Sequence, residues 1–562
     1  MPGCVAPNSK SVGVRFAVAQ DPNTSRTASS AIRRASSMRR LSVGAGTEGK
    51  SRGRNAAVGL SIAAPSAIWN ARPHMSESTE APGAGGAAGG ARDRVALGLL
   101  ALALLVAATR VWRLGEWSLW LDEAYTLCDA PRASTFRNPL GYWIWARWLA
   151  LSNGPIDERW LRTPACVFGM LAVPLAAWAF RPLLGPRAAA GAALLLAASS
   201  WHAYWSQTAR FYTLAQLLSL LGTGLWLRAL ERGGVVRALV GLAIAGLAAL
   251  AHPSAGGMLP ALVAAPWLLQ LAARRWPALA LPDAARPILR ASLVLGLLAA
   301  IPGVWWSIGV FRRWGMLKGG GDPAHFVLAT GFQATPILLA GIACVLVLAW
   351  RARERRALLV TLTAALFLAL ALVLSPFVRV TAQYAFLALP WLCASGAAVL
   401  APGIASAAGS AFGRALAAAL YALLLLPALA QLGLYHTVRR GERPAWRDAY
   451  KYVYEHRESS DLVLGMEAPV AEFYLGGPDA NPRLPRAVGW LDSWRAEVPG
   501  QWSRYPRRTW FVVNPEQLED WRQPELRASF EEMLRTDCRL VACWPLYVES
   551  RDLSVWVYVR EP

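Results

Sequence analysis

Two adjacent carboxylates, Asp122 and Glu123, stand in the run Ser118-Leu119-Trp120-Leu121-Asp122-Glu123-Ala124-Tyr125-Thr126, a few residues beyond an apolar segment at 95–111. Carboxylates held that close to a bilayer are costly, which makes them a candidate functional site. Neighbouring side chains point in different directions, so one acid can act while the other orients a partner. Transfer of a group to a hydroxyl needs a base within hydrogen-bond reach, and a carboxylate in a partly dry groove suits that work. The competing reading is a solvated acid or a helix cap, since Asp is common at helix starts. Trp117, Trp120 and Tyr125 flank the pair, as expected of a segment resting at headgroup level.

Other polar residues sit at the entrances of apolar segments. Gln207, Arg210 and Tyr212 combine a cation with two hydrogen-bonding side chains. A guanidinium binds phosphate through two parallel hydrogen bonds, although a lone interfacial Arg also snorkels to headgroups. Arg379, Gln383 and Tyr384 offer the same choice at another entrance, and His252 precedes Pro253 at a third. A His so placed is an ordinary structural hydrogen-bonder, and we keep it as a candidate contact. The expected loop 311–333 carries Arg312, Arg313 and Lys318 before Gly319, Gly320 and Gly321, and a flexible basic loop could close over an anionic ligand. The sequence contains no HExxH, CxxC or regular His cluster, and its one GxxxxGK[ST] string, Gly44 to Ser51, falls in the basic N-terminal tail rather than between a strand and a helix. A strong metal signature and soluble nucleotide binding are therefore unsupported, while a divalent metal is left open.

The elements that must hold these residues are membrane helices. Of 562 residues, 55% are hydrophobic and 16% charged, with mean hydropathy +0.32, too apolar for a soluble globular chain. Apolar segments fall at 95–112, 160–180, 188–203, 211–229, 236–251, 256–273, 288–310, 335–350, 357–375, 384–401 and 412–434. They predict about eleven transmembrane helices. The segment 138–151, with Tyr142, Trp143, Trp145, Arg147 and Trp148, reads instead as an interfacial helix.

The net charge of +22 is explained by short loops at 181–187, 228–237, 274–290 and 351–356 and by the N-terminal tail. This is the positive-inside pattern, not a nucleic-acid patch, so no nucleic-acid partner is expected. It puts the N-terminus inside, and collects the first loop 114–159, the turns at 201–212 and 252–254, the segments 311–333 and 375–384 and the C-terminus outside. Counting 138–151 as a span would invert every later loop.

Residues 1–94 read as a disordered basic tail, with Met75 an alternative start. The transmembrane domain spans 95–434. From 435 to 562 the composition is ordinary and soluble. A helix at 446–457 and strands at 461–466, 508–514, 538–546 and 554–560 predict a small α/β domain. Of the seven Cys, only Cys538 and Cys543 lie close together in a soluble part, where a disulfide is a candidate.

The order of these motifs resembles the GT-C glycosyltransferases, in the bacterial branch similar to protein O-mannosyltransferases and lipid A aminoarabinose transferases. It is carried by the acid-pair run, by Arg159-Trp160-Leu161-Arg162-Thr163-Pro164 leading into a span, by Trp205 to Tyr212, and by Trp446-Arg447-Asp448-Ala449-Tyr450 after the last span. The resemblance covers roughly 95–480. It implies a sugar on a polyprenyl phosphate as donor, a lipid, glycan or protein acceptor, and inverting transfer at the outer face of a bacterial plasma membrane. Asp122 would be the base, Glu123 would orient acceptor or base, and Arg210 with Arg379 or Lys318 would stabilise the phosphate.

Departures stand at three places. Thr208 replaces a common Glu, Arg137-Asn138-Pro139-Leu140 stands where relatives often have His-Pro-Pro-Leu, and Gln383 precedes Tyr384 where relatives usually have Arg. Arg379, about one helical turn earlier, is the substitute cation. A polytopic transporter or flippase for a lipid-linked or anionic substrate is the competing class. It would favour ionisable residues inside spans and related halves, whereas here charge collects at one surface without an evident repeat.

Overall fold

The computed structural model describes residues 85–130, 138–318, 320–401, 404, 411–475, 488–490, 507–519, 521, 523–548 and 551–562. Met75 and Arg137 lie outside them. Apolar segments fold as helices because lipid offers backbone groups no partners, so each must bond within its own segment. The N-terminal half runs through α1 (Gly85–Ala108), α2 (Leu121–Asp129), α3 (Pro139–Leu149), α4 (Glu158–Ala198), α5 (Ser200–Ser206), α6 (Tyr212–Arg232), α7 (Val235–Ala251) and α8 (Met258–Ala273). Then follow α9 (Ala285–Lys318), α10 (Pro323–Ala334), α11 (Pro336–Arg351), α12 (Arg355–Leu374), α13 (Ala382–Ala385), α14 (Leu389–Ala397) and α15 (Ala411–His436).

All the expected spans lie on helices, with differences of detail. Among the described residues six helices are long and apolar enough to cross a membrane, or seven if α10 and α11, bent by 90°, count as one span. Two expected spans, 160–180 and 188–203, belong to α4, which breaks at Gly185 where φ is 75°. Helix α1 is already formed at Gly85, upstream of the tail boundary expected at 94, because a nucleated helix extends at little cost. The aromatic segment 138–151 folds as α3, eleven residues long and too short to cross. The expected loop 311–333 is mostly helix: α9 and α10 leave only 319–322 between them.

Two features organise the bundle. Gly222 on α6 and Gly241 on α7 face each other so closely that a Cβ on either would strike the other's carbonyl oxygen, the small-residue packing of membrane helices. The basic loops meet at one end. There Glu231 pairs with Arg355 at 3.5 Å and Arg356 at 3.1 Å, Arg355 Nη1 donates to the Ala280 carbonyl at 2.9 Å, and the Arg353 guanidinium lies over Trp276 and Trp350.

After α15 the chain forms α16 (Trp446–His456), β1 (Leu462–Gly465), α17 (Ala468–Leu475), β2 (Val488–Trp490), β3 (Thr509–Val513), α18 (Pro515–Glu519), α19 (Pro524–Thr536), β4 (Arg539–Trp544), β5 (Tyr547–Val548), β6 (Arg551–Asp552) and β7 (Val555–Arg560). The main sheet has the order β2-β1-β3-β7-β4, with β1 parallel to β2 and β3, and β7 antiparallel to β3 and β4. The fold is a mainly α membrane bundle with a small C-terminal α/β domain. Cys538 and Cys543 are free thiols, contrary to the expected disulfide. Five residues of extended chain span about 16 Å, against the roughly 7 Å limit between bridged Cα atoms.

The first loop and the α/β domain share a hydrophobic core. Leu119, Leu127, Trp145, Leu161 and Phe211 are buried in one cluster with Trp446, Tyr450, Trp510 and Val557. Polar contacts reinforce it. Arg447 Nε donates to Glu158 at 2.9 Å, the Arg447 backbone N–H to Ser118 Oγ at 3.0 Å, and the Leu119 N–H to Tyr474 Oη at 2.7 Å. Between bundle and domain, Gly441 has φ 65° and packs edge-on to the Trp117 ring, which an added Cβ would overlap. Gly441→Ala is therefore expected to lower stability by at least about 1–2 kcal/mol, from the left-handed backbone alone. An unchanged apparent melting temperature of the detergent-purified protein would contradict this.

Candidate active site

Asp122 and Glu123 occupy the first turn of α2, where helix dipole and free N–H groups favour negative charge. Their surroundings differ completely. Glu123 has no exposed surface. Arg162, from the start of α4, grips it with Nε on Oε1 and Nη2 on Oε2, both at 2.8 Å. The Ala209 N–H donates to Oε1 at 2.8 Å, the Trp120 N–H to Oε2 at 3.3 Å, and Arg443 Nε lies 3.8 Å from Oε2. Burial pushes this carboxyl up, but Arg162 outweighs it, with help from Arg443 and the Ala209 N–H, and holds it below the usual carboxylate value. The helix-cap role that Asp122 was open to is thus performed by Glu123.

Arg162 also stitches the preceding turn, donating to the carbonyls of Trp117 and Ser118 at 2.8 Å and Leu114 at 3.3 Å. Arg443, from the stretch after the last span, donates to Thr208 Oγ1 and packs its guanidinium over Tyr204 at 4.0 Å. Thr208 is therefore the partner of a cation whose charge Glu123 already answers.

Asp122 keeps 32% of its side chain exposed, with Arg210 Nε 3.8 Å from Oδ2. Arg210 Nη1 donates to Thr126 Oγ1 at 3.0 Å and to the Asp122 carbonyl at 3.2 Å, while its buried Nε has no hydrogen bond. Burial pulls the Arg210 guanidinium down, but Asp122 foremost, then Tyr142 and Tyr212, raise it above its ordinary value. The pair is thus a partly open carboxyl beside a cation at the mouth of the bundle.

From there a row of rings runs inward. Tyr212 lies 4.3 Å from His252, and His252 lies 5.8 Å from Tyr384. His252 Nδ1 is 2.8 Å from Ser254 Oγ and accepts the Ser254 N–H. Gln207 is drawn away into the protein: it donates to the carbonyls of Arg110 and Trp112 at 2.8 Å and accepts from Tyr435 Oη at 3.0 Å. It ties α1 to α15. Arg379 is exposed and Gln383 half-buried. The backbone at 320–321 packs on the 375–379 stretch, where the Gly321 N–H donates to the Ser375 carbonyl at 2.9 Å. The Lys318 side chain lies outside the described residues.

Sequence reasoning quoted Arg162 without a role and passed over Arg443 and Glu467. The signal for Arg443 was a cation just before the Trp446 motif. Glu467 lies at the end of a strand, distant in sequence from the acid pair. Burial foremost, opposed by its bond from Gln517 and reinforced by the charge of Asp122, pushes its carboxyl up to about 8. Among the described residues no three His, Cys, Asp or Glu side chains gather as a metal site.

The fold and site define a polytopic membrane protein with a carboxylate–guanidinium pair enclosed between its helical bundle and a soluble α/β domain. In chain course it is similar to ArnT from Cupriavidus metallidurans bound to undecaprenyl phosphate, at TM-score 0.44 and 18% identity over 82% of this chain and 97% of that one. It is likewise similar to apo ArnT, at 0.44 and 16% over 84% and 98%. A third similar structure is the Archaeoglobus fulgidus oligosaccharyltransferase tethered with an acceptor peptide, at 0.42 and 14% over 70% and 60%. These are GT-C superfamily members, the group whose motifs the sequence resembles. No family model and no curated protein matches the chain.

Removing the Glu123 charge would leave two buried guanidinium groups uncompensated. Glu123→Gln is expected to cost about 3–5 kcal/mol, read as a lower apparent melting temperature and reduced yield of folded protein. Because the folded protein holds this carboxyl low, its stabilising contribution is complete above the unfolded value and is lost as pH falls through the folded one. A variant as stable as the parent at neutral pH would contradict the clamp.

Proposed function

We propose that this chain is an integral membrane glycosyltransferase. It would move a sugar from a polyprenyl-phosphate donor to a hydroxyl of a lipid, glycan or protein acceptor, with inversion, at the outer face of a bacterial plasma membrane. The observation that carries the reading is the contrast within the acid pair. Glu123 is locked in the protein, while Asp122 stays partly open beside Arg210 at 3.8 Å. An open carboxylate next to a cation is what attack on a phosphate-bound sugar needs.

In this scheme Asp122 removes the acceptor proton as the acceptor oxygen bonds to the anomeric carbon. The bond from that carbon to the phosphate oxygen breaks, and the electron pair leaves with the phosphate. Arg210, whose buried Nε has a donor to spare, stabilises the departing charge, so a strong general acid is unnecessary. Arg379 is the candidate second cation, with Lys318 an alternative. Tyr212, His252, Gln383 and Tyr384 would line the donor's path, Gln207 would hold its entrance together, and Glu123 would fix the helix that aims Asp122.

Asp122→Asn should fold and insert normally yet lose about 10²- to 10⁴-fold of transfer. Mass spectrometry of envelope glycans and glycolipids would read this in cells lacking the gene and complemented with either form. Sugar addition undiminished in the variant would remove Asp122 from the role of base.

A further inference from the structure

Glu467 follows β1, the strand flanked on both sides by parallel neighbours. The chain leaves β1 through α17 toward β2 on one side, while β3, on the other, runs into α18. The crevice at the carboxyl ends of such diverging strands is where open α/β sheets bind ligands. In this chain it holds Glu467.

Three observations show a side chain aimed with purpose. Glu467 has φ 54°, a left-handed conformation that costs a non-glycine residue strain and is kept where the surroundings demand it. It is 7% exposed, its Oε1 accepts from Gln517 Nε2, and its Oε2 is a buried oxygen without a hydrogen bond. A buried polar atom left unpaired calls for an explanation, and a ligand supplies one. Helix α17, which follows Glu467, packs on α2, and both the Leu121 backbone and the charge of Asp122 act on the same carboxyl. The carboxyl with the orphaned oxygen therefore lies within electrostatic reach of the proposed base.

We propose that Glu467 is a second carboxyl of the Asp122 site, donating a hydrogen bond from Oε2 to the hydroxyl-bearing acceptor, so that the α/β domain supplies part of the acceptor subsite. This rests on the reading of Asp122 as base. Asp122 works ionised and accepts a proton. Glu467 holds its own proton at neutral pH and donates, and its neutrality spares the site a second negative charge. The groups facing it are Asp122 from α2, Arg443 from the stretch after α15, Tyr450 from α16 and Gln517 from α18.

The test uses purified full-length protein added to membranes from cells lacking the gene, with sugar mass on extracted lipids and glycans measured between pH 6 and 9.5. The parent should lose activity as pH rises through about 8, approaching tenfold per further unit as Glu467 ionises. Glu467→Gln, whose amide still donates, should be about threefold to tenfold slower at pH 6.5 but show no such alkaline loss. Glu467→Ala should be slower than Glu467→Gln.

A second readout is independent of activity. The folded parent keeps a proton that the unfolded chain has released, so its stability falls as pH rises from about 4.5 to 8. The apparent melting temperature of Glu467→Gln should accordingly gain on the parent across that window and then stay level. An alkaline limb that survives in Glu467→Gln, an alanine variant as fast as the parent at every pH, or melting differences that ignore pH would each overturn the proposal. Asp122→Asn is run alongside. If it stays active, the base assignment fails; if it is dead while the Glu467 variants match the parent, only the acceptor-subsite inference fails.

Discussion

The buried ion cluster around Glu123 is the constraint on which the rest of the site depends. A carboxylate without exposed surface is tolerated only when its oxygens are occupied and its charge answered. Here the answering groups come from four separate stretches of chain: Arg162 at the start of α4, the Ala209 N–H before α6, the Trp120 N–H ahead of α2, and Arg443 beyond the last span. Each must be in place for the others to be satisfied. The cluster therefore registers the first loop, the bundle and the approach to the α/β domain against one another, and a bidentate guanidinium pair leaves little freedom in the angle.

That rigidity explains how two adjacent acids come to have opposite surroundings. Successive residues on a helix point about 100° apart, so fixing Glu123 inward turns Asp122 outward toward Arg210. The open acid is aimed by its locked neighbour. Gln207 plays a similar part nearby, bonding to the turn after α1 and to Tyr435 on α15. Its amide holds the floor on which Arg210 and Tyr212 stand.

The α/β domain is more than an appendage. Its core is continuous with the first loop through Trp145, Phe211, Trp446 and Tyr450, and apolar burial of that kind stabilises without prescribing direction. Direction comes from the polar contacts of Arg447 and Tyr474 with 115–119 and Glu158. Together they seat α17, which follows β1, against α2.

The sequence by itself determined the apolar segments as helices, a helix within 138–151 and the α/β nature of the C-terminal region. Each of these is local: hydropathy, period and residue type act over a few turns of chain. It also placed Arg210, Tyr212, His252 and Tyr384 on a common side, because alternating spans return to the same end. What only the tertiary structure decided was partnership. Which acid is locked and which open, that Arg443 rather than a nearer cation completes the clamp, that Gln207 is tied into the framework, that Cys538 and Cys543 stand apart, and that Glu467 is buried with Gln517 on one oxygen all depend on distant segments meeting. Charge and hydrogen-bond energies are set by distances of a few ångströms and by burial, and neither quantity is written in the spacing of residues along the chain.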